Sequence, residues 1–76
     1  MEEKILEIIA SINDELLEYE GNNMLEDGIV NSFSFISLVS ELEDEFDIDI
    51  DEDLLDAKYF GNKNRIIETV KSIIEE

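Results

Sequence analysis

The stretch from Asp27 to Ile50 reads DGIVNSFSFISLVSELEDEFDIDI and contains the residues that decide the fold. It starts as a short loop, continues with a helical period and ends in acidic residues. Asn31 and Ser32 can each cap a helix, because their side chains accept hydrogen bonds from the free N–H groups of a first turn. We therefore predict a helix that begins at Asn31 or Ser32 and ends at about Phe46.

This helix has two differently composed sides. At about 100° per residue, its core side carries Phe35, Leu38, Val39, Leu42 and Phe46. Phe33 points away from that side and Ile36 lies on its flank, and the outer side also carries the polar residues Ser37, Ser40 and Asp44. Either Phe33 and Ile36 form an exposed docking surface, or the preceding loop folds over Phe33. The spacing leaves both interpretations open.

The segments on either side of this helix predict the rest of the fold. Residues 2–19 have a helical period, with Ile5, Ile8, Ile9, Ile12, Leu16 and Tyr19 on one stripe. The loop over residues 20–31 is long for a small domain, and Met24, Leu25, Ile29 and Val30 are expected to pack beneath it. A short helix is predicted over about 51–59 and a last one over about 63–74.

The whole chain, residues 1–76, is short enough for one domain only. Acidic and isoleucine residues alternate over 47–50, which could indicate a strand. The chain offers no second strand to pair with it, so we interpret this segment as an extended connector. The expected fold is an all-α, four-helix bundle with a long first loop and a short third helix.

The composition excludes several classes of function. The chain has 22 acidic and 5 basic residues, a formal net charge of −17, so nucleic acid would be repelled. It has no Cys and no His, which removes Ser–His and Cys–His catalysis and the usual zinc ligands. No apolar run is long enough to span a membrane. We expect a cytoplasmic monomer that is not an enzyme.

The charged residues are unevenly distributed along the chain. Four of the five basic residues lie in the final third, and we expect them to pair with acidic side chains: Lys58, Lys63, Arg65 and Lys71. The alternating aspartates over 47–53 are similar to the start of a calcium loop, but Glu52 stands where such a loop has Gly and Lys58 where it has Glu. We interpret this run as a solvated acidic surface and expect no specific metal site.

Ser32 is the residue with the most distinctive chemical position. A hydroxyl in the first turn of a helix lies near free N–H groups and the positive end of the helix dipole, where a phosphate ester is electrostatically favoured. The plain alternative is a serine that only caps the helix, and spacing alone favours that alternative. The long loop before Ser32 and the outward Phe33 favour a modified serine.

The sequence DGIVNSFSFISLVSELEDEFDIDI resembles the core of the acyl and peptidyl carrier protein family. Asn31-Ser32-Phe33 matches the Asp-Ser-Leu-like motif that opens the family's second helix, and Asp44-Glu45-Phe46 matches its acidic end. The resemblance covers nearly the whole chain. Within the family, the start of this stretch and the segment YFGNKNRIIETV are most similar to D-alanyl carrier and stand-alone aminoacyl carrier proteins.

The resemblance implies a function for Ser32. A phosphopantetheinyl transferase would attach 4′-phosphopantetheine from coenzyme A to Ser32, and acyl or aminoacyl groups would travel as thioesters on that arm. An adenylating ligase or an acyl or aminoacyl transferase would be the other partner. The implied partner-binding residues are Asn31, Phe33, Ile36, Ser37, Ser40, Glu41 and Asp44.

The chain departs from the family pattern in two ways, and the second of them points to a specialised pathway. Asn31 stands where the family usually has Asp, which keeps the cap but removes a charge that the transferase would read. Ser34 and Ser37 replace acidic residues that fatty-acid carriers have early in this helix. The alternative from another class is an acidic interaction module, such as an inhibitor or nucleic-acid mimic, with no prosthetic group.

Overall fold

Over residues 2–75, the protein folds into four α-helices and two short 3₁₀ helices joined by loops. The computed structural model describes residues 2–75. The elements are α1 (Glu2–Ile12), a 3₁₀ helix (Asp14–Leu17), α2 (Ser32–Phe46), a second 3₁₀ helix (Glu52–Leu54), α3 (Ala57–Phe60) and α4 (Lys63–Ile74). The described part of the chain contains no strand. The predicted all-α, four-helix bundle with a long first loop and a short third helix is confirmed.

The predicted second helix is confirmed at both ends. Asn31 is the N-cap of α2, and the chain leaves the helix through Asp47, which has a left-handed conformation with φ of 52°. The buried side of α2 carries Phe35, Leu38, Val39 and Leu42. Residues 47–50 contain no strand, and Ile50 is buried against the bundle.

The core is formed by one apolar cluster to which each of the four α-helices contributes buried residues. The rings of Phe35 and Phe60 meet edge to face at 5.8 Å between centroids, which joins α2 to α3. Such a pair stabilises by about 1 kcal/mol beyond the area it buries. The buried apolar residues are Ile5, Ile8, Ile9, Leu16, Met24, Val30, Phe35, Leu38, Val39, Leu42, Ile50, Phe60, Ile66 and Val70.

The first helix is shorter than the sequence predicts. The prediction of one helix over 2–19 is wrong, because α1 ends at Ile12 and Asn13 caps a separate 3₁₀ helix. The Asn13 side chain accepts a hydrogen bond from Glu15 N at 3.0 Å. Leu16 is still fully buried, so the apolar stripe is continued by the 3₁₀ turn rather than by a longer α-helix.

The segment predicted as one short helix over 51–59 is two shorter elements. Asp51 caps the second 3₁₀ helix by accepting from Asp53 N at 3.1 Å. Asp56 caps α3 by accepting from Lys58 N at 2.9 Å. Each aspartate satisfies backbone N–H groups at a helix start, so the chain turns at Asp56 instead of continuing. The fourth helix is confirmed with the predicted bounds.

Asp47 is the one described residue other than glycine with a positive φ. A side chain in this conformation costs roughly 1 kcal/mol, which glycine avoids. The negative charge of Asp47 is also repelled by the negative end of the α2 dipole. We expect Asp47→Gly to raise the free energy of unfolding by about 1 kcal/mol, a rise in Tm of about 4–8 °C. Thermal melts followed by circular dichroism measure this.

Asp49→Gly is the matched control for this prediction. Asp49 is exposed and does not have a positive φ, so the substitution removes the same charge without relieving the backbone. We expect no gain in Tm from this control. An equal gain for both variants would assign the effect to charge alone.

Candidate functional site

Ser32 lies in the first turn of α2 without acting as its cap. The side-chain oxygen of Asn31 accepts a hydrogen bond from Ser34 N at 2.8 Å, and the Asn31 carbonyl accepts from Phe35 N at 2.9 Å. Asn31 therefore provides the acceptors for backbone N–H groups at the start of α2. The Ser32 side chain is exposed. The alternative that Ser32 only stops the helix disagrees with this geometry.

The electrostatic environment at Ser32 favours an anionic substituent. Ser32 is the first residue of a 15-residue helix, and that helix has no acidic residue in its first turn. Free N–H groups and the helix dipole concentrate positive potential at this end. The site therefore fits a phosphate ester, even though the chain as a whole is strongly acidic.

The loop before Ser32 is held by two hydrogen bonds, one from a side chain and one between backbone groups. Asn13 donates from Nδ2 to the Ile29 carbonyl at 2.7 Å, which ties the loop to the end of α1. Met24 N donates to the Gly61 carbonyl at 3.1 Å, which ties it to the α3–α4 junction. Met24 and Val30 are buried, and Leu25 and Ile29 pack against the core. The predicted packing beneath the loop is confirmed.

A second pair of residues ties the middle of this loop to its own start. The Tyr19 hydroxyl donates to an Asp27 carboxylate oxygen and accepts from Asn23 N at 3.1 Å. The hydrogen bond to Asp27 raises the pKa of Tyr19. Sequence reasoning did not identify Asn13, Tyr19 or Asp27 as supports of the site. Their partners lie 8 or 16 residues away, and helical periodicity carries no such information.

The outer face of α2, defined as Phe33, Ile36, Ser37, Ser40, Glu41 and Asp44, runs away from Ser32. Phe33 is 80% exposed and Ile36 is 61% exposed. The interpretation that the loop covers Phe33 is therefore wrong. Ser40, Glu41 and Asp44 are exposed, and Ser37 is half-buried. Asn31, at the start of the helix, is also exposed.

The acidic residues in the second half of α2 differ in their contacts. Glu43 accepts from Ile50 N at 2.9 Å and so holds the connector after the helix. Glu45 lies 3.9 Å from the ammonium of Lys4 on α1, and Glu41 accepts from the Ser11 hydroxyl at 3.3 Å. Within the described residues Asp44 makes no side-chain hydrogen bond or ion pair. Asp44 is therefore the acid on the outer face that is most available to a partner.

A helical bundle with an exposed serine in the first turn of its second helix has the architecture of a carrier protein. The D-alanyl carrier protein of Lactococcus lactis subsp. cremoris (strain MG1363) is 33% identical over 78 positions, covering 100% of this chain and 99% of the relative. The D-alanyl carrier protein of strain SK11 gives the same values. That of Lactococcus lactis subsp. lactis (strain IL1403) is 32% identical over the same shares.

This chain belongs to the carrier protein family that includes these D-alanyl carrier proteins. No family model matches the chain. Over residues 2–75, no group of three or more acidic side chains is arranged to hold a metal ion. No helix in the same part of the chain has the length and apolar character needed to cross a membrane.

Proposed function

We propose that Ser32 carries 4′-phosphopantetheine and that the chain presents a thioester-linked group to its partner enzymes. The observation that carries this proposal is the division of roles at the start of α2, where Asn31 accepts the capping hydrogen bond and Ser32 is exposed. Family membership supports the same role. The exposed serine also favours a carrier over an acidic mimic, because a mimic would need no exposed serine at a helix start.

The proposed attachment is a phosphoryl transfer to the serine hydroxyl. The Ser32 Oγ attacks the phosphorus of coenzyme A that bears the pantetheine, and a new P–O bond forms. The phosphoanhydride bond breaks, 3′,5′-ADP leaves, and a base on the transferase takes the hydroxyl proton. The N–H groups at the start of α2 then stabilise the charge of the phosphodiester. The chain has no Cys, so the arm supplies the thiol that forms thioesters.

The proposed cargo is an amino acid, for which the names of the relatives suggest D-alanine. An adenylating ligase would activate the carboxylate with ATP, and the chain would carry the aminoacyl thioester to a transferase of cell-wall modification. We propose that the chain acts as a monomer in the reducing cytoplasm, where coenzyme A and ATP are available.

The outer face of α2 is the proposed partner surface. Phe33 and Ile36 supply apolar contact beside the arm, and exposed aromatic residues of this kind often dominate binding energy. Asp44 and Glu41 are proposed to meet basic residues of the partner, which would speed association with a chain of net charge −17. Asn31 and Ser37 lie at the edges of this surface, and Ser40 lies between its apolar and acidic parts.

Loading by a ligase tests the proposed function. The pantetheinylated chain is incubated with the D-alanine-activating ligase of a related bacterium, ATP and D-alanine, and its mass is measured before and after hydroxylamine treatment. We expect the mass of one alanyl group to appear and to be lost with hydroxylamine, which cleaves thioesters. The unmodified chain is the control and is expected to stay unloaded. Failure of the modified chain to load with D-alanine or any other amino acid would contradict an aminoacyl carrier.

Phe33→Ser tests the partner surface separately from the arm. Because Phe33 is 80% exposed, we expect the free energy of unfolding to change by less than about 0.5 kcal/mol. We expect kcat/KM for ligase loading to fall about tenfold, since an aromatic anchor at an interface contributes on the order of 1–2 kcal/mol. Steady-state loading rates and a thermal melt measure the two quantities.

Ile74→Ser is the matched control for the surface prediction. Ile74 is an exposed large apolar residue on α4, so its loss removes apolar area away from α2. Loading rates of this control are expected to stay at the level of the unchanged chain. Equal losses for the two variants would mean that the ligase does not recognise Phe33 specifically.

A further inference from the structure

The cleft between α3 and α4 holds two cationic side chains that form no ion pair with any acidic side chain of residues 2–75. In the described chain, only Lys4 and Lys71 form ion pairs. The expectation that the basic residues of the final third pair with acids is therefore wrong for Lys58, Lys63 and Arg65. Lys58 and Arg65 line one cleft of about 340 Å³. Such a pair is unexpected in a chain with 22 acidic residues.

Both cations are held by contacts with the backbone or ring beside them. Arg65 donates from Nη1 to the Ala57 carbonyl at 3.0 Å, which leaves its other N–H groups for a ligand. The Lys58 ammonium lies 5.3 Å from the centroid of the Tyr59 ring. Side chains that are already ordered lose less conformational entropy when a ligand binds. The two positive charges, one on α3 and one on α4, are therefore pre-arranged at the cleft.

The remaining surface of the cleft is mainly apolar. Leu54, Tyr59 and Ile73 line it, and each packs against the core. Thr69 donates its hydroxyl to the Tyr59 carbonyl at 2.9 Å, which joins α3 to α4 at this place. Glu68 also lines the cleft. The formal charge of the lining residues is therefore +1, from two cations and one anion. The cleft thus combines an apolar wall with a small positive excess.

We propose that this cleft binds a small amphipathic anion, a single carboxylate on a short apolar body. Its volume lies within the range of small-molecule sites, about 300–1,000 Å³. The chain's net charge of −17 repels anions at long range, so binding depends on direct contact with Lys58 and Arg65. None of the lining residues lies on α2. The ligand and a partner on the outer face of α2 can therefore bind together.

A titration with hexanoate tests this proposal. The ¹⁵N-labelled full chain is followed by NMR in about 0.15 M salt, where the screening length is about 8 Å. We expect saturable shifts at Tyr59, Thr69 and Ile73, with a Kd on the order of 1 mM for a ligand of this size. Hexanamide has the same apolar body without charge and is expected to bind at least about threefold more weakly. Equal binding of the two, or no shifts in α3 and α4, would overturn the proposal.

Lys58→Gln separates local contact from the general field of the protein. Lys58 is chosen because Arg65 also supports α3 through Ala57. We expect Lys58→Gln to weaken hexanoate binding about threefold to fivefold, the effect of one partly exposed charge. Lys63→Gln removes the same charge at a lysine that does not line the cleft, and its Kd is expected to stay unchanged. Equal weakening of hexanoate binding by both variants would mean that net charge alone determines the Kd, which would overturn the proposal.

Discussion

Replacing Ser32 with alanine is expected to abolish attachment of phosphopantetheine. The proposed reaction needs a hydroxyl oxygen at this position, and alanine offers none. The fold should persist, because Ser32 is exposed and the cap of α2 belongs to Asn31. We expect the free energy of unfolding to change by less than about 0.5 kcal/mol. Intact-mass measurement after incubation with coenzyme A and a broad-specificity transferase, together with a thermal melt, checks both statements.

Ser34→Ala is the matched control for the loss at Ser32. Ser34 lies two residues further along α2, so its loss removes a hydroxyl from the same turn. The hydrogen bond that its backbone N–H donates to the Asn31 side chain is unchanged by the substitution. We expect the control to be modified as fully as the unchanged chain. Continued modification of the Ser32 variant would place the arm on a different serine.

Gly61→Ala is expected to cause the largest loss of stability. Gly61 is buried at the junction of α3 and α4, and a Cβ there would overlap the backbone oxygens of Asn22 and Ala57. Backbone atoms cannot move aside as a flexible side chain can, so the loop and α3 must separate. We expect the free energy of unfolding to fall by about 3 kcal/mol, which lowers Tm by about 12 °C or more. Chemical denaturation followed by circular dichroism measures it.

Gly28→Ala is the comparison for the loss at Gly61. Gly28 has a φ of 78°, and a Cβ there would contact nothing within 4 Å. The substitution therefore costs only backbone strain, about 1 kcal/mol. We expect a loss about one third as large as at Gly61. Equal losses would mean that the overlap at Gly61 is relieved without cost.

The same contacts give Gly61 a role in placing Ser32. Its carbonyl accepts from Met24 N at 3.1 Å, and Asn62 donates to the Gly21 carbonyl at 3.0 Å. These hydrogen bonds tie the long loop to the α3–α4 junction. The loop then reaches Asn31 with its path fixed at Met24 and, through Asn13, at Ile29. The position of the serine thus depends on hydrogen bonds made outside α2.

Elements with strong local signals were predicted correctly. α2 combines capping residues at its start with an apolar side at helical spacing, and its bounds agree with the prediction. α4 begins after Asn62, whose side chain accepts from Arg65 N at 3.0 Å, and its bounds also agree. In both helices the residue that starts the helix and the residues that bury it are close in sequence. Local reasoning is sufficient in such cases.

Two elements were predicted incorrectly, one because it depends on a distant partner and one although its signal is local. Asn13 lies within the predicted first helix, but its side chain bonds to Ile29 and to Glu15 N. These hydrogen bonds end α1 at Ile12, and the spacing of apolar residues along the sequence does not predict them. Asp56 was interpreted as the interior of a helix, although aspartate favours the cap position that it occupies. That signal was present in the sequence, whereas the partner of Asn13 was not.

For the candidate site, the sequence located the residues but not their division of roles. Asn31 and Ser32 were equally able to cap α2, and only the geometry separates them. The exposure of Phe33 was likewise undecided, since it depends on where the loop runs. Met24 and Val30 are buried beneath the loop, whose path leaves Phe33 outside. The sequence shows that the α3–α4 cleft region contains cationic residues. Only the structure shows that the two cations of the cleft form no ion pair within the described residues.

Localisation of the modification in the unchanged chain tests the central claim most directly. The chain is incubated with coenzyme A and a broad-specificity transferase, digested, and its peptides are fragmented in a mass spectrometer. We predict one phosphopantetheine per chain, carried by the peptide that contains Ser32 and ejected from that residue on fragmentation. An unmodified chain, or an arm located at any other residue, would contradict the account.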